Sequence, residues 1–187
     1  MELDRAIQKR KSIRLYNDKK PDWRDILECI DATRQAPMAG DMYSLRFIIV
    51  DEQDLIKKIS EYSAQEFIQQ AQYAVIVITE PTKTNINFKE RAKKYLPQQA
   101  GAAIQNFLLK LTEVGLSTCW IGHFNDESIK ALFKIPKECE VEAIFPIGYS
   151  KEKDTIKKPK SDLYQILYFN KWKNERMKKE KTNTLTD

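Results

Sequence analysis

Apolar residues recur along this chain at two spacings, and the alternation between them lays out the elements. Leu3, Ala6 and Ile7 form the apolar side of a short helix ending near Arg10. Asp22, after Pro21, is placed to cap a second helix, in which Trp23, Ile26, Leu27 and Ile30 fall at i, i+3, i+4 and i+7. Pro37 ends that helix, because the residue before a proline is pushed out of the α region. The loop PMAGDMYS leads into LRFIIVD, an apolar run of strand composition. DEQDLIKKISEY and AQEFIQQA read as helical and YAVIVIT as a second strand.

EPTKTNINFKERAKKY reads as a polar connection, long for a compact domain and of the kind that carries lids or sites. PQQAGAAIQNFLLKLTEVG is the most apolar helix, with its proline suited to the first turn and Gly115 to the C-terminal cap. STCWIG predicts a third strand, NDESIKALF a short helix capped by Asn125 or Asp126, and EVEAIFPIGYS a fourth strand. Helices and strands are interspersed without strict alternation. That order favours an α+β layer fold over a doubly wound parallel sheet. Beyond KEKDTIKKPKS, the stretch DLYQILYF reads as a strand or helix whose Leu163, Ile166, Leu167 and Phe169 need something to pack on.

Composition narrows the function classes. At 187 residues and 42% hydrophobic content, the chain fits one domain, or one domain and an arm. Without an apolar run long enough to span a bilayer or an apolar leader after MELD, the expectation is a soluble, cytoplasmic protein without a membrane partner. Cys29, Cys119 and Cys139 are odd in number and widely spaced, and His123 is the single histidine. Neither a disulfide framework nor a metal site is expected, and a hydrolytic triad would rest on that one histidine.

The net charge of +5 is unevenly placed: the first 150 residues hold 21 Lys/Arg and 21 Asp/Glu, and the rest hold eleven and six. The basic end lacks the aromatic interleaving of a single-strand binder, so no nucleic-acid partner is expected. A denser knot of charge lies near the start, where QKRKSIRLY packs Lys9, Arg10, Lys11 and Arg14 around Ser12. Such crowding repels itself unless solvent or an anion relieves it. None of the five glycines lies in a GxGxxG or GxxxxGK run, so a bound phosphate would depend on side chains. Arginine forks and a serine hydroxyl suit that task. A solvated basic turn is the competing reading of the same residues.

QKRKSIRLY, APMAGDMYSLRFIIV, QQAGAAIQNFLLKLTEVGLSTCWIGHF and IFPIGYSKEKDTIKKP, taken in order and spacing, resemble the FMN-dependent nitroreductase family from about residue 5 to residue 160. The resemblance implies an α+β two-layer sandwich with a mostly antiparallel sheet flanked by helices. It further implies an FMN-binding domain over 1–160, a C-terminal arm over 161–187, and an intertwined homodimer with flavin at the interface.

On this resemblance Arg10, Lys11, Ser12 and Arg14 form the flavin-binding segment, with Arg10 and Ser12 on the phosphate and Arg14 at the N1 and C2 edge of the ring. Lys157 and Lys158 would close over the phosphate. Trp120, Ile121 and Gly122 would line the ring through main chain. Pro37, Met38, Ala39 and Asp41 would come from the neighbouring subunit. The implied activity is hydride transfer from NAD(P)H through the flavin to a small acceptor such as a nitroaromatic or quinone, with no side chain needed as acid or base.

The chain departs from the family pattern where Met38, Asp41, Tyr43, Ser44 and Leu45 stand for serine, asparagine, glutamine, proline and tryptophan, and where Gln99 replaces an acid. An ionised Asp41 cannot donate the hydrogen bond of an asparagine amide. A reductive dehalogenase or oxidase on the same fold, and a basic non-enzymatic binding protein, are the alternatives.

Overall fold

The computed structural model describes residues 1–153 and 161–177, and two compact units divide the chain, Met1–Ile156 and Lys157–Asp187. In the first, α1 (Leu3–Lys9) and α2 (Trp23–Ala32) precede β1 (Leu45–Val50), α3 (Gln53–Tyr62) and β2 (Tyr73–Thr79). They are followed by α4 (Thr82–Phe88), α5 (Ala92–Glu113), β3 (Ser117–Thr118), α6 (Asp126–Phe133) and β4 (Glu140–Gly148). Every pairing in the four-stranded sheet is antiparallel, in the order β1-β2-β4-β3. The fold is therefore α+β.

YAVIVIT is apolar throughout because β2 lies at the centre of the sheet with both faces covered, and all seven of its residues are buried. Val75 and Val77 face the same cluster as Ile26 and Cys29 of α2 and Ile104, Phe107 and Leu111 of α5. Ala74, Ile76 and Ile78 face the other cluster, with Ile56 and Ile59 of α3 and Ile129 of α6. Each such isoleucine or valine contributes about 1.5–3 kcal/mol before entropic costs.

Several elements differ from the sequence reading. The buried stripe of α2 runs through Ile26 and Cys29, whereas Trp23 and Leu27 stay exposed. Of the apolar side of α1 only Ala6 is buried, Leu3 and Ile7 facing outward. AQEFIQQA makes one 3-10 stretch, Glu66–Gln70, not an α-helix. The polar connection is helical instead. Thr82–Phe88 forms α4, a 3-10 turn follows at Lys89–Arg91, and α5 starts at Ala92, so Pro97 sits inside it and not in its first turn.

Tertiary packing overrides the weak propensity of TKTNINF: Thr84 and Ala92 are fully buried, and Phe88 meets Tyr95 edge to face at 5.2 Å. The break between α4 and α5 falls at Lys89, whose φ of 47° no helix continues through. The third strand is two residues long, and Ile121 joins β4 only through an isolated bridge to Ile144.

The second unit has, among its described residues, one 3-10 turn, Leu163–Gln165, in place of the strand or helix read from DLYQILYF. Leu163 and Ile166 are exposed there, as are Tyr164 and Trp172.

Candidate functional site

The basic segment is laid against the sheet by its own backbone. Ile13 N–H donates to Thr118 O at 2.9 Å, and Asn17 N–H donates to Tyr149 O at 2.9 Å. Lys151 N–H returns a bond to Leu15 O at 3.0 Å. Ile13 and Tyr16 are the anchors, both buried. The Tyr16 hydroxyl lies 2.8 Å from Ile13 O and 3.2 Å from Pro146 O, so its proton is held between two carbonyls. Burial raises its pKa well above the ordinary tyrosine value, with the nearby Cys119 adding to the rise. Gly148 makes room for the ring, because a Cβ there would come within 3.1 Å of Tyr16 Cδ1.

Beside these anchors lies a cavity of about 210 Å³ with Arg10, Lys11, Thr118, Ser150 and Glu152 on its polar side and Ile13, Leu108 and Leu111 on its apolar side. The four cations are not equivalent. Lys11 Nζ donates to Lys153 O at 2.8 Å and stands 3.6 Å from Glu152 Oε2. Arg14 is exposed, with its guanidinium 5.8 Å from the centre of the Phe67 ring. The Arg10 guanidinium has no hydrogen-bond or ion-pair partner among the described residues. Beside it, Thr118 Oγ1 is buried and unpaired. The guanidinium in the cavity wall suits an oxyanion such as phosphate, whereas the Thr118 hydroxyl oxygen is closed off from the cavity.

Ser12 is half-buried and bridges in parallel to Thr118, but it does not line the cavity. Trp120 is exposed and touches Phe145 edge to face, with 5.6 Å between ring centres. Both main-chain groups of Ile121 are bonded to Ile144, each at 3.0 Å, which leaves Trp120 and Gly122 as the backbone open to a ligand in that strand. A Cβ on Gly122 would have its nearest neighbour at 3.9 Å, so packing within the chain does not require glycine there. Lys157 and Lys158 lie outside the described residues.

The Pro37 loop is built differently. Ala39–Asp41 forms a 3-10 turn in which Gly40 and Asp41 have φ of 59° and 57°. Such values suit the glycine and strain the aspartate. Gln99, buried on α5, holds the loop: its Oε1 accepts from Ala39 N at 3.1 Å and its Nε2 donates to Ser44 Oγ at 2.5 Å. A carboxylate at Gln99 could not make that donation. Tyr43 points its hydroxyl at Thr33 Oγ1, 2.6 Å away. Because the Thr33 proton goes to Ile30 O, Tyr43 is the donor, and burial raises its pKa.

Pro37, Met38, Ala39, Phe88, Tyr95 and Gln99 line a second cavity, of about 450 Å³, without a charged side chain. Asp41 is exposed and does not line it. The two cavities share no lining residue, so one chain does not bring the Pro37 loop to the cation cradle. Thr118, Glu152, Phe88 and Tyr95 were not among the residues singled out from sequence. No sequence motif pointed to Thr118, whose place follows from its pairing with Ser12.

A sheet edge that carries a side-chain oxyanion cradle, with an uncharged aromatic cavity elsewhere in the same α+β unit, fits a cofactor-binding class of protein. The chain belongs to the nitroreductase family, whose model matches residues 7–149. It is 30% identical over 156 residues to a protein of Archaeoglobus fulgidus provisionally named NADH dehydrogenase/NAD(P)H nitroreductase, covering 80% of this chain and 87% of that one. Among solved structures, a nitroreductase family protein from Clostridium novyi NT superposes with a TM-score of 0.74 at 28% identity, covering 93% of this chain and 96% of that one. An FMN-dependent nitroreductase from Clostridium difficile R20291 gives a TM-score of 0.76 at 24% identity, covering 89% and 98%. No described helix is long and apolar enough to cross a membrane.

Proposed function

We propose that the protein is an NAD(P)H-dependent FMN oxidoreductase that reduces a small acceptor, a nitroaromatic or a quinone, and works as a homodimer. The observation that carries the cofactor reading is the Arg10 guanidinium in the wall of the cradle, without a hydrogen-bond or ion-pair partner among the described residues. When bound, FMN supplies the two-electron redox chemistry. The chain's own residues hold and tune it. Arg10 grips the phosphate from the cavity wall, and Ser12, which bridges to Thr118 and lies off that wall, would reach it only by turning its side chain. Arg14 places a fixed cation at the N1 and C2 edge of the ring, where negative charge develops on reduction, and so favours the reduced form. Trp120 and Gly122 offer main chain to the ring edge.

The homodimer reading rests on three supports. The cradle and the Pro37 loop occupy separate cavities of one chain, so a flavin touching both would need two chains. Trp23, Leu27 and Trp120 leave apolar surface exposed on the first unit, and Leu163 and Ile166 do so on the second. Family membership agrees with such an assembly. The uncharged lining of the second cavity, with Phe88 against Tyr95, suits a neutral planar acceptor.

Arg10→Ala tests the cofactor reading. Charge-assisted phosphate bonds contribute about 1.5–3 kcal/mol each, so FMN should bind about tenfold more weakly or worse in a fluorescence titration, with riboflavin little affected. Unchanged FMN affinity would remove the cradle from the cofactor site.

A further inference from the structure

Glu152 is the one acidic residue lining the cation cradle among the described residues. Its position is fixed by backbone on two sides. The Glu152 N–H donates to Ser150 Oγ at 2.9 Å, and Arg14 N–H reaches Glu152 Oε1 at 3.4 Å. Its other oxygen lies 3.6 Å from Lys11 Nζ, on a side chain only 11% exposed. The segment that carries it is pinned to the basic strand through Lys151 N–H and Leu15 O. A carboxylate thus stands in the wall of a site built for an oxyanion, already partnering one of its cations.

We infer that Glu152 is an internal counter-anion of the cradle, setting how tightly the site takes a phosphorylated ligand and how strongly it prefers one to the same ligand without phosphate. The inference rests on the reading of the cradle as the flavin-phosphate site. Like charges a few ångströms apart near a surface repel, with attenuation by solvent and salt. A phosphate entering beside Arg10 meets that repulsion and shares Lys11 with Glu152. The carboxylate also offsets part of the Lys11 charge when no phosphate is present. Affinity is given up for a cradle that is stable before its ligand arrives.

The test is a charge series at one position, measured on the full-length protein stripped of flavin. Glu152→Gln keeps an oxygen to accept from Arg14 N–H while removing the charge, and Glu152→Lys reverses it. FMN and riboflavin are titrated at low and at moderate salt, with Arg10→Ala alongside. Glu152→Gln should tighten FMN by about three- to tenfold at low salt, Glu152→Lys should tighten it further, and added salt should shrink both gains. Riboflavin affinity should stay within about twofold. Equal tightening of both ligands, or no gain for FMN while Arg10→Ala weakens it, overturns the counter-anion role and leaves the phosphate site standing. If Arg10→Ala has no effect on FMN, the phosphate site itself is overturned, and the role of Glu152 falls with it. Loss of thermal stability without a change in FMN affinity would make Glu152 purely structural.

Discussion

The cation cradle and the Pro37 loop carry equally irregular chain, yet they are held by opposite means. The cradle is fixed by main-chain bonds to β3 and the end of β4, with Ile13 and Tyr16 as buried plugs. Lys11 and Glu152 add side-chain bonds to that frame, while the Arg10 guanidinium makes none to the described residues. The loop is held chiefly by side chains: Gln99 pairs Ala39 N on one side and Ser44 Oγ on the other, Tyr43 donates to Thr33 Oγ1, and Asn87 Nδ2 donates to Met42 Sδ. Arg10 in the cradle is therefore free to be tuned for a ligand, whereas in the loop support and shape reside in the same few side chains.

The largest effect should come from removing a plug. Tyr16→Ala empties a fully packed site and should cost about 3–5 kcal/mol in urea denaturation, while Tyr16→Phe, which loses only the hydroxyl, should cost about 1 kcal/mol. Equal costs for the two would mean the hydroxyl and not the ring holds the cradle. Next comes Gln99→Leu. It leaves two polar groups without their partner, at about 1–3 kcal/mol for each that stays buried. Gln99→Glu should recover part of that by accepting from Ala39 N and from the Ser44 hydroxyl. A wild-type melting temperature for Gln99→Leu would show that the loop does not depend on this residue.

Alkaline pH separates the Tyr16 plug from the α2 core by onset. Burial pushes the Cys29 thiol, on the helix that packs against α5, from an ordinary 9.0 up to about 12, and Tyr16 is raised from 10.0 in the same direction. Both groups keep their protons more tightly folded than unfolded, so their contribution is intact below pH 9. It is lost as pH rises, because the unfolded chain ionises first. Stability should decline from about pH 9, and because burial also raises Cys139 from 9.0, Cys29→Ala made in a Cys139→Ala background should move that onset toward 10, where the tyrosine begins. An onset that Cys29→Ala leaves in place in that background would assign the loss to other groups.

The smallest effect is expected at Arg14, whose exposed side chain supports neither region. Arg14→Met should leave stability within about 0.5 kcal/mol. By spectroelectrochemistry, it should lower the flavin potential by roughly 30 mV, equivalent to about 1.4 kcal/mol for two electrons. An unshifted potential would place Arg14 away from the ring.

Local patterns were legible where a single physical rule decided them. Asp22 caps α2 by accepting from Arg24 N, and Asn125 caps α6 by accepting from Ser128 N, as short acceptor side chains ahead of helical periodicity require. The apolar runs LRFIIV and YAVIVIT became strands at the expected places. The family was legible too, through four ordered motifs and not through any one of them. TKTNINF misled, because its asparagines and threonines argue for a loop until Phe88, Tyr95 and the face of α5 supply the packing that makes a helix of it.

By itself the sequence determined the alternation of elements, the density of charge at QKRKSIRLY and the absence of a glycine-rich phosphate loop, since these depend on neighbours in the chain. Only the tertiary structure decided which cation of that run lacks a partner among the described residues. Arg10, Lys11 and Arg14 are chemically similar and nearly adjacent, but Lys11 is met by Glu152 and by the Lys153 carbonyl from more than a hundred residues away, and Arg14 lies over Phe67. Pairing across such a separation follows from the register of the chain after β4 against the strand-like segment at Ser12. Register is set by the packing of Tyr16 against Gly148, a contact between positions whose spacing in sequence carries no information about their distance in space.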